Sequence, residues 1–348
     1  MTNKKENGTI QERKPVPVFF AADDKYMPFL GVTLASLKKH AAEEYAYQIH
    51  VLYTGELGEH AKRIEEMQTE NIRVSFYDVS ENLAQIQKAV HCRDYYTSAI
   101  YFRLFIPQLF PQYDKAVYLD CDIVLCADIA KLYEIGLGEN YVGAVADQVI
   151  TSNATFGEYT KYALGIEPKK YFNSGVLVMN LKKLREIGFY RQFTQVLRSY
   201  DFIVAPDQDC LNLICKDKVH YYGMDWNRMP IGGKKDCKPK LVHYNLSMKP
   251  WHYDGVLYEN LFWETAKETP FLQWIEAKKN AFTPEMAKKD ERDGANLLAL
   301  AQAEADSPYN YFRTRAGIKN STREIRNEGG RYGFIDDFKT ASRGVKAD

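Results

Sequence analysis

Val117-Tyr118-Leu119-Asp120-Cys121-Asp122-Ile123-Val124-Leu125 reads as a buried strand that ends in two carboxylates one residue apart. In an extended chain, residues i and i+2 share a face, so Asp120 and Asp122 can point at the same cation. Hard carboxylate oxygens suit Mg²⁺ or Mn²⁺. A second apolar run, Ile123 to Leu125, follows at once and places the acidic pair deep in the fold. Two like charges held side by side in an interior are costly unless a cation or good hydrogen bonds offset them. The same string also fits a strand end whose Asp residues cap the next turn, and the surrounding chain decides between the two readings.

Upstream, Val16 to Ala22 reads as a first strand closed by Asp23-Asp24. Pro28 to His40 has helical spacing at Leu30, Leu34 and Leu37, with proline near the start, where it is tolerated. Tyr47 to Tyr53 is a second strand, Gly58 to Thr69 an amphipathic helix, and Ile72 to Tyr77 a third strand. This alternation predicts an α/β fold, a mostly parallel sheet with helices on both faces. Tyr96 to Phe110 reads as a helix carrying Arg103, and Asn140 to Ala146 as a strand ended by Asp147. Gly175 to Met179 is a strongly apolar strand entered through Lys170-Tyr171-Phe172-Asn173-Ser174. Leu181 to Tyr200 is helical with a break near Gly188, Pro206 to Lys216 is a further helix, and Lys240 to Val242 is a short strand leading to His243.

Asp23, Asp120, Asp122, Asp147 and His243 thus all stand near strand ends. In an open α/β sheet, ligands bind at the carboxyl ends of the strands. His243 is a plausible third ligand beside the two carboxylates, and a mixed oxygen and nitrogen set suits Mn²⁺. Lys249 follows in a loop where it can meet a phosphate oxygen. Asp207-Gln208-Asp209 opens a helix, where acidic residues interact favourably with the dipole; alternatively Asp207 and Gln208 face a reacting centre.

The 348 residues suffice for one large α/β domain with an appendage. The zero net charge gives no argument for a nucleic-acid partner. Six cysteines form no C-x-x-C pair and read as reduced thiols of a cytosolic protein. No apolar run reaches the ~20 residues needed to span a bilayer. Residues 1–15 read as a polar, disordered tail, 16–280 as the α/β domain, and 281–348 as a helical and polar C-terminal extension containing an Ala-rich helix from Glu285 to Ala305.

Four motifs in order make the chain resemble glycosyltransferase family 8: Phe20-Ala21-Ala22-Asp23-Asp24; Tyr118-Leu119-Asp120-Cys121-Asp122; Phe172-Asn173-Ser174-Gly175 through Asn180; and Asp207-Gln208-Asp209 followed by His243-Tyr244 and Lys249-Pro250-Trp251. The resemblance runs from about Val16 to Trp274 and is strongest to the bacterial lipooligosaccharide galactosyltransferases. It implies a GT-A fold with a Rossmann-like sheet, a UDP-sugar donor, a metal and retention of anomeric configuration. Carried over by position, Ala21, Asp23 and Lys25 line the uridine site, and Arg103 reaches the sugar or a phosphate. Asp120-Cys121-Asp122 faces the nucleotide, with Asp120, Asp122 and His243 binding Mn²⁺ (or Mg²⁺). Lys249 contacts the diphosphate. Asp147, Asn173, Asp207 and Gln208 hold the donor sugar and the reacting face. Two positions depart from the family pattern: Lys25 stands where Asn is frequent, and Asn245-Leu246 replaces Cys-Gly.

The resemblance makes the expected activity transfer of glucose or galactose from UDP to a saccharide acceptor on a surface glycan, glycolipid or glycoprotein. A glycogenin-like enzyme that glycosylates itself or another protein is an alternative, separable by intact mass after incubation with donor. A UDP-sugar-binding protein without turnover is another, disfavoured by the intact Asp120, Asp122 and His243. In related bacterial enzymes a C-terminal extension attaches the protein to the membrane. Here the balanced charges of the extension make any peripheral contact with the inner membrane face weak, with Tyr309 to Arg315 as its aromatic and basic cluster. Self-association through this tail is equally open.

Overall fold

The computed structural model describes residues 13–86, 98–231 and 238–317. Most of the expected N-terminal tail, the start of the Tyr96 helix and the polar segment from Asn320 onward lie outside those residues. The strands are β1 (Lys14–Ala21), β2 (Tyr45–Tyr53), β3 (Ile72–Asp78), β4 (Ala116–Leu119), β5 (Ile123–Leu125), β6 (Val142–Ala144), β7 (Val176–Met179), β8 (Val219–Tyr221) and β9 (Leu241–His243). Seven of them form one sheet in the order β3-β2-β1-β4-β7-β6-β8, and β5 pairs with β9 in a small second sheet.

Alternation explains why the main sheet is covered on both faces. Val16, Val18 and Phe20 of β1 enter one core with Leu30, Val51 and Phe271, whereas Phe19 enters the other with Leu52, Phe105 and Phe110. Val117 and Leu119 of β4 and Val176 and Val178 of β7 join the first core; Tyr118, Leu177 and Met179 join the second. Strands buried on both faces read as continuous apolar runs, as these do. The helix Met27–His40 lies on the first face, with Pro28 in its first turn and Lys38, Lys39 and His40 in its last.

The sheet is mixed, as expected for this fold class. β1, β2, β3 and β4 are mutually parallel, while β7 runs antiparallel to both β4 and β6. The reversal has a consequence for the site. It brings the start of β7, with Asn173, Ser174 and Gly175, to the edge where β1 and β4 end, and the Asp120 amide bonds the Gly175 carbonyl there at 2.8 Å.

Three elements differ from the sequence expectation. The segment expected as a helix to Phe110 is a 3₁₀ turn over Ser98–Phe105 continued by the short helix Ile106–Leu109, where Pro107 cannot supply an amide to a continuous α-ladder. Lys240 to Val242 does form a strand, β9, but it joins β5 and not the main sheet. β8 is a three-residue strand parallel to β6 that the local pattern of Val219-His220-Tyr221 does not announce. The break near Gly188 is borne out: this glycine takes φ +65° between the helices Leu181–Glu186 and Phe189–Ser199.

Beyond the sheet, the helix Pro284–Asp306 is capped by Thr283, whose hydroxyl accepts from the Met286 amide at 3.3 Å. Ala301 and Ala305 are buried, and Leu297 and Leu298 pack into the second core with Phe156 and Tyr159.

Candidate active site

One cavity opens at the carboxyl edge of the sheet. Its wall includes Ala21, Asp23, Arg103, Asp120, Cys121, Asp122, Asp147, Asn173, Asp207, Gln208, His243 and Lys249. Lys25 is the sequence-predicted residue that does not line it; its side chain is exposed in the turn after β1. Tyr26 lines the cavity instead, with its amide bonded to Asp23 Oδ1 at 3.0 Å.

The turn carrying both carboxylates is pinned from below. Thr33 Oγ1 reaches the carbonyls of Cys121 and Ile123 at 2.8 and 2.7 Å, and Ser36 Oγ accepts from the Leu125 amide. Cys121 is buried, and its thiol donates to the Ala21 carbonyl at 3.2 Å. The Tyr244 amide bonds the Asp122 carbonyl at 2.9 Å, which ties β9 to the same turn.

Asp120, Asp122 and His243 meet at one point, each offering a ligand atom within 4.8 Å of the others. His243 Nε2 lies 3.3 Å from Asp122 Oδ1 and 3.7 Å from Asp120 Oδ2. Three features fit this cluster to a divalent cation. Asp122 Oδ1 is buried without a hydrogen-bond partner. Gly175 leaves the necessary room: a Cβ there would stand 2.4 Å from His243 Cε1 and 2.5 Å from Asp120 Oδ2. The ring of His243 is oriented by Asn227, whose Oδ1 lies 3.0 Å from Nδ1 while its Nδ2 donates to Asn173 Oδ1 at 2.9 Å. An acceptor oxygen facing Nδ1 assigns it the proton, so a neutral ring turns the lone pair of Nε2 toward the carboxylates, as metal-binding histidines do.

The remaining carboxylate oxygens face cations of the protein. Asp120 Oδ1 accepts from Arg103 at 2.9 Å and from the Tyr118 hydroxyl at 2.9 Å. Asp122 Oδ2 is ion-paired with Lys249, whose ammonium also bonds the Tyr244 carbonyl. Burial alone would raise the Asp122 pKa, but the Lys249 ammonium beside it holds it below the usual carboxylate range. Arg103 is buried, stacks 4.4 Å over the Tyr118 ring, donates to the Ser174 carbonyl at 2.6 Å and pairs with Asp207 at 3.3 Å.

The helix Pro206–Ile214 grips the turn before β7 with four side chains. Asp207 Oδ2 accepts from Ser174 Oγ at 3.2 Å. Gln208 Oε1 accepts from the Ser174 amide at 2.8 Å and from Asn173 Nδ2 at 3.2 Å, and its Nε2 donates to Asp147 Oδ2 at 3.1 Å. Asp209 accepts from the hydroxyls of Tyr159 and Tyr171, both at 2.6 Å. Asn212 brackets Phe172, accepting from its amide at 2.8 Å and donating to its carbonyl at 2.9 Å. Burial raises Asp207 to about 6 despite Arg103, and raises Asp209 to about 7 despite the two tyrosine donors. Asp147 caps the helix Gln148–Ser152 through Oδ1, and Oδ2 faces Asn173 and Gln208.

Sequence reasoning missed Tyr26, Asn227, Asp209's clamp and Leu297, which closes part of the cavity from the C-terminal helix. Asn227 sits in an unpatterned loop and carried no signal. Leu246 adopts φ +55° in the cavity wall, the left-handed region that glycine takes freely. The family's Gly is replaced in this chain, but the backbone conformation that favours it remains.

The family model described as Glycosyl transferase family 8 matches residues 17–255. The chain is 28% identical over 291 residues to lipopolysaccharide 1,2-glucosyltransferase of Escherichia coli (strain K12), covering 75% of this chain and 83% of that protein. It is 27% identical over 253 residues to general stress protein A of Bacillus subtilis (strain 168), covering 66% of this chain and 85% of that protein. Among solved structures, the galactosyltransferase LgtC in complex with donor and acceptor sugar analogs superposes with TM-score 0.62 at 27% identity, covering 73% of this chain and 96% of that one. The bifunctional glycosyltransferase WbbM superposes with TM-score 0.66 at 29% identity, covering 76% of this chain and 52% of that one.

Proposed function

The chain belongs to glycosyltransferase family 8 and has the GT-A fold, and on that premise we propose that it is a retaining, metal-dependent hexosyltransferase, moving glucose or galactose from a UDP-sugar to a saccharide acceptor. The observation that carries the reading is the convergence of Asp120, Asp122 and His243 on a point in the cavity wall beside Gln208 and Asn173.

Asp120, Asp122 and His243 would hold a divalent cation, Mn²⁺ or Mg²⁺, which would supply Lewis-acid stabilisation to a departing diphosphate. The chain's own residues do the rest. Ala21, Asp23 and Tyr26 form the end of the cavity that takes the uridine. Lys249 adds positive charge where the leaving group gains negative charge. Asp147, Asn173 and Asp207 hold the hexose. Gln208 is held through both ends of its amide, its oxygen accepting from Ser174 and Asn173 and its nitrogen donating to Asp147. An amide so engaged is a poor nucleophile. The bond network therefore favours attack by the acceptor hydroxyl from the face the diphosphate leaves, with a phosphate oxygen taking the acceptor's proton. Positioning of donor and acceptor then supplies much of the rate.

The test is UDP release from a panel of UDP-hexoses with Mn²⁺, with Mg²⁺ and with EDTA. Release from one UDP-hexose that depends on metal and falls to background in Asp122→Ala is the expected result. Absence of both release and metal-dependent UDP binding would overturn the proposal.

We also place the enzyme in the cytoplasm, consistent with the free thiols Cys121, Cys126, Cys210 and Cys215. Among the described residues no helix is long and apolar enough to cross a membrane. Weak peripheral contact through Tyr309, Phe312, Arg313 and Arg315 is tested by co-sedimentation with anionic liposomes against a Tyr309→Ser/Phe312→Ser variant. Equal binding by the two proteins would remove that part of the proposal.

A further inference from the structure

Each carboxylate of the Asp120, Asp122 and His243 cluster already has a buried cationic partner. Arg103 holds Asp120 Oδ1, and Lys249 holds Asp122 Oδ2. The side chains of Arg103, Lys249 and Asp122 are no more than 10% exposed, so these charges act on one another with little screening by water. The two cationic partners differ in how they are held. Arg103 is locked by several acceptors: the carbonyls of Ile100 and Ser174, Asp120 and Asp207. Lys249 has two, Asp122 and the Tyr244 carbonyl, and is carried on the Asn245 to Lys249 loop, where Leu246 takes φ +55°.

We propose that Lys249 makes metal and nucleotide binding interdependent in this site. Paired with Asp122, its ammonium offsets the charge that would attract a divalent cation and repels that cation from the adjacent Asp122 Oδ1. An incoming diphosphate offers Lys249 a second, more strongly charged acceptor. Drawing the ammonium toward the phosphate restores the full charge of Asp122 to the cation, and the phosphate adds its own. Metal then binds well only with the nucleotide, and by linkage the nucleotide binds well only with the metal. This inference rests on the proposed function, since it takes the nucleotide diphosphate as the ligand.

Direct Mn²⁺ binding tests it, measured by the electron paramagnetic resonance signal of free Mn²⁺ with and without UDP. In the wild-type protein UDP is expected to tighten Mn²⁺ binding at least tenfold. Lys249→Met keeps an apolar stem of similar length and removes the charge. Without UDP it is expected to bind Mn²⁺ at least tenfold more tightly than wild type, and UDP is expected to add less. Lys249→Gln carries the same expectation and guards against a folding failure of the Met variant. Lys249→Arg keeps the charge and is expected to bind Mn²⁺ weakly without UDP, as wild type does. Unchanged Mn²⁺ affinity in folded Met or Gln variants without UDP would overturn the inference while leaving the proposed function standing. Mn²⁺ binding to wild type that is equally tight with and without UDP would do the same. Failure of wild type to bind Mn²⁺ under either condition would overturn the inference, and would count against the proposed function as well where UDP release and Mg²⁺-dependent UDP binding were also absent.

Discussion

At the scale of single residues, the site depends on one missing side chain as much as on the three ligands. Gly175 has ordinary backbone φ, so alanine is acceptable to the chain there, but its Cβ would meet His243 Cε1 at 2.4 Å and Asp120 Oδ2 at 2.5 Å. Gly175→Ala is expected to displace the ligands and weaken Mn²⁺-dependent UDP binding roughly 10–100-fold. Isothermal titration with UDP and Mn²⁺ measures this, and an unchanged Kd would show that the ligands do not meet where the geometry puts them. The carboxylates and His243 were legible in the sequence because strand ends and spacing announce them. The orienting Asn227 was not, since its role comes from an unpatterned turn 16 residues before His243 that only the fold lays against β9: its side chain meets His243 Nδ1 while the Arg228 amide meets the Leu241 carbonyl. Asn227→Ala is therefore expected to reproduce much of the loss expected for Gly175→Ala, by releasing the ring of His243.

At the scale of elements, the helix Pro206–Ile214 does more than its dipole suggested. Asp207 and Gln208 were legible as candidates in its first turn. The clamp of Asp209 onto Tyr159 and Tyr171 was not, because the two tyrosines are distant in sequence and only the packed turn brings them together. Asp209 has a measurable signature. Its carboxyl is raised to about 7 in the fold, above its ordinary value near 4, chiefly by burial. The folded state therefore binds the proton more tightly than the unfolded chain. This contribution to stability is fully present below pH ~4 and is lost as pH rises through about 7. Relative to Asp209→Asn, urea midpoints of wild type are expected to decline over that window; Asp207, raised to about 6, adds to the decline in both proteins, whereas His50 and His252, lowered to about 4 by burial, oppose it in both. An identical slope in wild type and Asp209→Asn would place the proton elsewhere. Strand direction was also hidden at this scale. The apolar runs of β4 and β7 look alike, and nothing local to either says that β7 runs backward. That reversal is nevertheless what carries Asn173 and Gly175 to the reacting edge.

At the scale of the whole molecule, the family match ends at residue 255, while the helix Pro284–Asp306 packs on the same domain. Leu297 lines the cavity, Ala301 is fully buried, and Glu304 is bonded to the Tyr200 hydroxyl. At the other end of the helix, Asp290 accepts from Tyr253 at 2.9 Å. The sequence made this helix legible through its Ala-rich run from Glu285 to Ala305, but its charged composition read as part of a separate C-terminal extension. Its seat depends on Phe156, Tyr159 and Leu164, apolar residues of a segment more than a hundred positions earlier that no local pattern links to it. If the helix is part of the domain, ending the chain at residue 280 uncovers this surface and opens the cavity beside Phe156. Chemical denaturation of that truncated chain is then expected to show a loss of at least ~2 kcal/mol, the order of burying one or two apolar side chains. Leu297→Asp in the full chain is expected to move stability the same way by a smaller amount, since Leu297 is only partly buried. Equal stability of the truncated and full chains would make the helix an independent attachment, with its contacts to Tyr159, Tyr200 and Tyr253 contributing nothing to the fold.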